Sequence, residues 1–298
     1  MIDEESPGRR LRDAVTVGTI SLPGAPIALV AKLAEEQGFE AVYLSGAAMS
    51  AGLLAVPDIG LFSIDELAAQ TRLLADASTL PVVVDADTGF GGPSSVAECV
   101  RRLEEAGAAA IQIEDQSSDK RCGHLAGKRL VGVQEMSEKV LAACQARRSS
   151  ETVIIARSDA RGVEGIDACI ARLGHYREAG ADWLFPEGLT SREEFHRVAK
   201  AFDVPLVANM TEFGVSPLIG REDLASMGYA AVLYPVTLLR VAMKAMEAAL
   251  AVLGLEGTQE SLLDLMQSRQ ELYDLLGYDP SRPVAEGSWR PNDRSRLA

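Results

Sequence analysis

Short apolar runs rich in Val, Ile and Leu recur along the chain, separated by longer stretches whose apolar residues fall at helical spacing. The runs lie at 17–21, 40–45, 81–85, 109–114, 152–157, 181–186, 204–209 and 229–235. Near-continuous apolar strands are what a parallel sheet covered on both faces requires, since neither face meets water. Amphipathic segments at 27–37, 65–76, 95–106, 135–147, 166–179, 191–201 and 221–227 predict helices between them. Gly38, Gly107, Gly180 and Gly228 follow several of these, where a helix end favours a left-handed residue. Strand and helix alternate eight times, which predicts a (β/α)8 barrel; a doubly wound open sheet is the alternative.

Two further helical stretches, 237–253 and 259–276, exceed what closing a barrel needs. The second carries Leu262, Leu263, Leu265, Met266, Leu272, Leu275 and Leu276, which pack either on their own barrel or on a neighbouring subunit. From Ser281 the chain has Pro, Arg and Ser without period, which reads as a mobile arm, with Trp289 as its one anchor. The expected organisation is one barrel domain over 1–280 and a tail over 281–298.

A net charge of −14 argues against nucleic-acid or anionic-membrane binding, and an anionic substrate needs a local basic pocket set against that field. Cys99, Cys122, Cys144 and Cys169 show no CxxC spacing, which argues against zinc and against an oxidised secreted framework. The acidic N-terminus lacks the apolar core of a signal peptide, and no apolar stretch approaches a membrane span, so a cytoplasmic protein is expected.

In a parallel barrel, the residues at the C-terminal strand ends face one shared pocket. Here those ends read Tyr43 with Ser45-Gly46, Asp85-Ala86-Asp87, Glu114-Asp115, Arg157 with Asp159, Glu187, and Asn209 with Thr211-Glu212. Asp85 and Asp87 offer hard oxygen ligands without nearby His or Cys, which suits Mg²⁺, with Mn²⁺ as a substitute, rather than zinc. Asp58, Glu114 and Glu187 supply further carboxylates around such an ion. The glycines after Asp87 match no phosphate loop, dinucleotide fingerprint or EF-hand.

Between strands four and five lies Lys120-Arg121-Cys122-Gly123-His124, a Gly-containing loop without apolar period. A thiol among cations favours its thiolate, which makes Cys122 a candidate acid/base or nucleophile. Arg157, Arg240 and Arg269 are candidates for gripping carboxylates, and His124 for hydrogen-bonding substrate. His175 and His196 fall in helical patterns and read as surface residues. A metal, basic anchors and an activated thiol together point to a lyase or hydrolase of a small polycarboxylate; a catalytically inactive carboxylate sensor is the alternative of a different class.

Several segments resemble the isocitrate lyase/phosphoenolpyruvate mutase superfamily, and within it the branch that cleaves 2-methylisocitrate. They include Tyr43-Leu-Ser-Gly46, Val84-Asp-Ala-Asp-Thr-Gly-Phe-Gly91, Ile113-Glu-Asp-Gln116, Lys120-Arg-Cys-Gly-His124, Ala156-Arg-Ser-Asp-Ala160, Leu184-Phe-Pro-Glu187, Ala208-Asn-Met-Thr-Glu-Phe-Gly214 and Tyr234-Pro-Val-Thr-Leu-Leu-Arg240, in order across 11–278. The resemblance implies a barrel whose C-terminal helix is exchanged between subunits of a homotetramer built from dimers. It implies Mg²⁺-dependent cleavage of a small tricarboxylate, 2-methylisocitrate, to pyruvate and succinate in the methylcitrate route of propionate breakdown. Carried over by position, Ser45, Gly46 and Ala47 hold the pyruvate part, and Asp85 and Asp87 hold the metal with Asp58 and Glu114. Cys122 is the acid that protonates the succinate carbanion, and Tyr43 is the candidate base. Gly123, His124, Arg157, Glu187, Asn209, Met210, Thr211, Arg240 and Arg269 complete the substrate site.

Departures bear on the substrate. Leu125-Ala-Gly-Lys128 resembles dimethylmalate lyase, oxaloacetate hydrolase and carboxyphosphonoenolpyruvate mutase relatives. Phe185-Pro-Glu187 and Thr211-Glu-Phe-Gly214 resemble the methylisocitrate branch. Phe185 and Leu233 stand where isocitrate lyases carry bulkier residues, which leaves room for a methyl group.

Overall fold

The computed structural model describes residues 6–281. Eight strands, β1 (Ile20–Pro23), β2 (Val42–Leu44), β3 (Val82–Asp85), β4 (Ala108–Glu114), β5 (Val153–Ser158), β6 (Trp183–Pro186), β7 (Val207–Asn209) and β8 (Ala231–Tyr234), pair in parallel. One sheet runs β2-β3-β4-β5-β6 and the other β1-β8-β7. Parallel bridges at Gly24–Tyr43 and Leu184–Leu206 join them, which closes the cylinder. The barrel is therefore the one expected, and the open sheet is excluded.

Among the described residues eleven helices occur in order: α1 (Pro7–Val17), α2 (Ala28–Glu36), α3 (Gly46–Leu53), α4 (Ile64–Ala77), α5 (Pro93–Glu105), α6 (Val133–Ala146), α7 (Ile166–Glu178), α8 (Arg192–Ala201), α9 (Arg221–Met227), α10 (Thr237–Glu256) and α11 (Arg269–Leu276). Alternation along each strand divides the core in two. Tyr43, Val83, Ile155, Trp183, Phe185 and Leu233 fill the barrel interior, while Val42, Val84, Ile154 and Leu184 pack outward against the helices.

The sequence reading missed α1. Ser6 caps it, accepting from the Arg9 amide at 3.2 Å, and Pro7 opens its first turn. Its Leu11, fully buried, joins the interior cluster. Arg12 donates to the Glu151 carbonyl at 2.9 Å and pairs with Asp182 at 2.8 Å, so the helix is tied beneath the barrel. The helix α3 was also missed: Ser45 ends β2 and at once caps the next helix, accepting from the Ala48 amide. The first strand sits later than its apolar run implied, at Ile20–Pro23 rather than 17–21.

The stretch expected as one helix over 259–276 is broken. A 3-10 turn (Glu260–Leu265) precedes α11, which restarts with a capping box between Ser268 and Glu271. α10 buries none of its residues. Most of the tail expected to be a mobile arm, 282–298 with Trp289, lies outside the described residues. Among the described residues no helix is long and apolar enough to cross a membrane.

Candidate active site

The last inward-facing position of most strands is polar, and these positions meet. Tyr43, Asp85, Glu114, Arg157, Glu187 and Asn209 surround a cavity of about 90 Å³ that Ser45, Ala47, Asp58, Thr211, Leu233 and Arg240 extend. The loop after β4 closes over it, adding Lys120, Arg121, Cys122, Gly123 and His124 to the lining. The loop fits so closely that a Cβ on Gly123 would collide with Arg157 and Glu187.

Arg157 stands at the centre of the charge balance. Its guanidinium lies 2.9 Å from Asp159, 3.4 Å from Glu114 and 3.4 Å from Glu187, with its face 5.3 Å from the Phe185 ring centroid. Burial works to raise Glu187, but Arg157, His124 and Asn209 outweigh it and hold this carboxyl below its ordinary range. Glu114 shows the opposite result: burial dominates and pushes its carboxyl well up despite Arg157.

His124 fastens the loop. Its Nε2 lies 3.0 Å from Glu187 Oε1, and its Nδ1 accepts from the Val215 amide at 3.1 Å. An accepting Nδ1 places the ring proton on Nε2, facing Glu187. Gly214 permits this contact, since a Cβ there would strike the imidazole. Asn209 donates to the other Glu187 oxygen at 3.0 Å.

Acidic groups crowd the opposite side. Asp85 accepts from Gln112 at 3.1 Å and from the Gly46 amide at 3.2 Å. Asp87 adopts a left-handed backbone (φ 48°), and its amide donates to Asp85 at 3.2 Å. Burial pushes the Asp87 carboxyl up to about 7, against the pull of Lys120. Lys120 lies 2.7 Å from Asp58 and also pairs with Asp87. One Asp87 oxygen and one Glu114 oxygen remain buried without a hydrogen-bond partner. That donor set fits a hard cation that retains water and takes only one or two carboxylates directly. It does not fit a dry cage, because among the described residues no three His, Cys, Asp or Glu side chains converge on one point.

The thiol environment differs from the one its neighbours in sequence implied. Lys120 is engaged by Asp58 and Asp87, and His124 bonds Glu187 through its Nε2 proton, so neither contributes to a basic cluster around Cys122. Cys122 is half-buried and lines the cavity. Cys99 and Cys169 are buried, and burial pushes both thiols up to about 12.

Most of the expected site residues are brought together. Gly46 lies just behind the cavity with Asp87, its amide on Asp85. Three residues are not where they were expected. Met210 is turned into the outer core, its sulfur accepting from the Ile219 amide at 3.2 Å. Arg269 opens α11 on the surface, away from the cavity within this chain. Phe185 sits beneath Arg157 rather than in the cavity wall, and of the two expected methyl-pocket residues only Leu233 lines it. Tyr43 is buried, and its hydroxyl donates to Gln112 at 2.8 Å. Burial first, then the Asp85 charge, push the phenol well above its ordinary value, so it holds its proton here and is not poised as a phenolate base. The reading missed Lys120 as the partner of Asp58 and Asp87; its place beside the thiol drew attention from the acidic strand ends it reaches.

The chain matches the phosphoenolpyruvate phosphomutase family over residues 14–253. It is 50% identical over 275 residues to a 2-methylisocitrate lyase of Aeropyrum pernix, covering 92% of this chain and 88% of that one. A 2-methylisocitrate lyase of Bacillus subtilis is 45% identical over 275 residues, covering 92% and 90%. Among solved structures, 2,3-dimethylmalate lyase superposes with a TM-score of 0.86 at 36% identity, covering 91% of this chain and 92% of that one. Oxaloacetate acetylhydrolase with 3,3-difluorooxalacetate gives 0.87 at 33% identity, covering 92% and 94%. Phosphonopyruvate hydrolase with oxalate and Mg²⁺ gives 0.82 at 30% identity, covering 91% and 95%. Barrel, strand-end charges and sequence agree along nearly the whole chain, which therefore belongs to the phosphoenolpyruvate mutase/isocitrate lyase family.

Proposed function

We propose that this protein cleaves 2-methylisocitrate to pyruvate and succinate. The observation that carries the reading is the 50% identity to a 2-methylisocitrate lyase across 92% of the chain, and the cavity supports it with chemistry of the required kind. We propose this reaction as a step of the methylcitrate route of propionate breakdown, carried out in the cytoplasm.

The cleavage breaks the carbon–carbon bond beside a tertiary alcohol. The hydroxyl loses its proton, its oxygen becomes the carbonyl of pyruvate, and the bonding pair leaves on the succinate fragment. Asp85 and Asp87, with Asp58 and Glu114 through water, would hold Mg²⁺ or, in its place, Mn²⁺. When bound, that ion would lower the pKa of a hydroxyl held beside it. Ser45, Gly46 and Ala47 hold the pyruvate portion; Tyr43, which keeps its own proton, hydrogen-bonds the hydroxyl oxygen, and a neighbouring strand-end carboxylate takes the hydroxyl proton. Arg157, Arg240, Asn209, Thr211, Gly123 and His124 orient the remaining carboxylates, with Glu187 fixing Arg157 and His124. Met210 contributes through its backbone, since its side chain faces the core. Cys122 delivers the thiol proton to the succinate carbanion, and the closed loop keeps water from competing.

The same scaffold supports a second reading, an oxaloacetate hydrolase or 2,3-dimethylmalate lyase. The likeness of the Leu125–Lys128 segment to those enzymes favours it, as do the superpositions on solved members. We further propose a homotetramer, a dimer of dimers that exchanges C-terminal helices; the unburied α10 and the surface position of Arg269 support it.

The deciding experiment incubates purified protein and Mg²⁺ with 2-methylisocitrate, isocitrate, 2,3-dimethylmalate and oxaloacetate, with products read by mass. Pyruvate and succinate from the first substrate are expected. Silence there, with turnover of oxaloacetate or dimethylmalate, moves the protein to the second reading.

A further inference from the structure

The loop that carries Cys122 is fastened at a place that none of the steps above uses. Lys128 has a side chain only 3% exposed, and its ammonium lies 3.0 Å from Asp159 Oδ1. The same ammonium donates to the carbonyl of Gly123, the residue after the thiol. It rests against Gly162, where a Cβ would come within 3.3 Å of Nζ, so the turn after β5 leaves it a slot. A buried ammonium is costly to desolvate, and apolar packing gives no reason to place one here.

Asp159 is itself fixed on several sides. Its Oδ1 accepts from Arg157 Nη2 at 3.2 Å, and its Oδ2 from Arg157 Nε at 2.9 Å. Its amide donates to Asp115 Oδ1 at 2.8 Å, and the other Asp115 oxygen accepts from Ser158 at 2.7 Å and Tyr176 at 2.8 Å. One carboxylate oxygen thus serves both the loop, through Lys128, and the central arginine. Neither Lys128 nor Asp159 lines the cavity. Lys120 and His124 also fasten the loop, but to groups that face the cavity or its carboxylates.

We propose that Lys128 is a positioning residue: it holds the thiol loop shut by joining the Gly123 carbonyl to Asp159. The thiol loop and Arg157 then share one buried carboxylate, in addition to their other partners. Lifting the loop withdraws Lys128 and leaves Asp159 to Arg157 alone.

The test uses the full-length protein and its Lys128→Met variant. The first readout is the rate at which iodoacetamide alkylates Cys122, followed by peptide mass, with the half-buried Cys144 as internal reference. Losing one charged hydrogen bond to the loop should raise the Cys122 rate about 10-fold and leave Cys144 unchanged. Lys128→Arg, which keeps the charge, should restore most of the protection. The second readout is kinetic: misplacing a proton donor should lower kcat by about 10–100-fold while KM moves far less. This kinetic arm rests on the function proposed above; the alkylation arm does not, so inactivity on the chosen substrate leaves the latch decided by Cys122 protection. Should Lys128→Met fail to fold, Lys128→Gln carries the same comparison. Wild-type alkylation of Cys122 without the lysine overturns the proposal, as does equal exposure in the Arg and Met variants.

Discussion

His124 Nε2 and Glu187 Oε1 lie 3.0 Å apart, so a residue of the loop is bonded to a residue at the mouth of β6. Glu187 holds its charge in that pair because Arg157, His124 and Asn209 together overcome the effect of burial. A carboxyl held below its ordinary value stabilises the fold fully above its unfolded pKa, about 4.3, and that contribution fades as pH falls toward the lower folded value. The stability gap between wild type and Glu187→Gln should therefore be constant near pH 7 and shrink below about pH 4.3. Urea midpoints measured across that range decide it; a gap that widens on acidification contradicts the assignment.

Buried carboxylate oxygens of Asp87 and Glu114 without a partner predict strong linkage between a divalent ion and the fold. Adding MgCl2 should raise the melting temperature of the wild-type protein, whereas Asp85→Asn and Asp87→Asn should show little shift. Chelation with EDTA should abolish turnover, and Mg²⁺ should restore it. Melting that ignores Mg²⁺ in all three proteins would remove the metal from the picture.

Replacing Cys122 by Ser keeps the shape of the loop but substitutes a much weaker acid. A positioned acid contributes about 10²–10⁴-fold to a rate. The expected result is a kcat loss of that order with substrate binding near normal, the pattern of an interaction made only in the transition state. Unchanged turnover would show that the proton comes from elsewhere.

Leu233 lines the cavity, so its size should set the preference for a methyl group. Leu233→Phe should shift selectivity from 2-methylisocitrate toward isocitrate by about 10-fold or more, within the roughly 1–3 kcal/mol that one methylene is worth in an apolar pocket. The ratio of kcat/KM values for the two acids is the measurement, and an unmoved ratio locates the methyl elsewhere.

At the other end of the barrel, Leu11 fills the interior with no exposed surface. Leu11→Ala should cost about 2–5 kcal/mol, the range for emptying a buried leucine site. Thermal or urea unfolding will show this, with kcat little changed because the residue is remote from the cavity.

The alternation of strand and helix was legible because strands buried on both faces leave uninterrupted apolar runs. The polar strand ends were legible because a charge in Asp85, Arg157 or Glu187 interrupts those runs at one consistent place. What escaped was local or long-range. The Ser6-Pro7 start of α1 and the Ser268–Glu271 box of α11 were signals in plain view, overridden by composition and by a continuous leucine pattern. Lys120 and Lys128 find Asp58 and Asp159 across the pocket or the loop, and Arg157 finds Glu114 and Glu187 on other strands; spacing along a chain does not carry that pairing. Met210 shows the limit of motif transfer: it stands beside Asn209 and Thr211, yet faces the opposite side of the wall.

The plug helix α1 and the charged rim occupy opposite ends of one cylinder, and this separation gives the protein a division of labour. Endurance resides at the floor and reactivity at the mouth, so selection can revise the mouth for a new acid without first rebuilding what keeps the vessel intact.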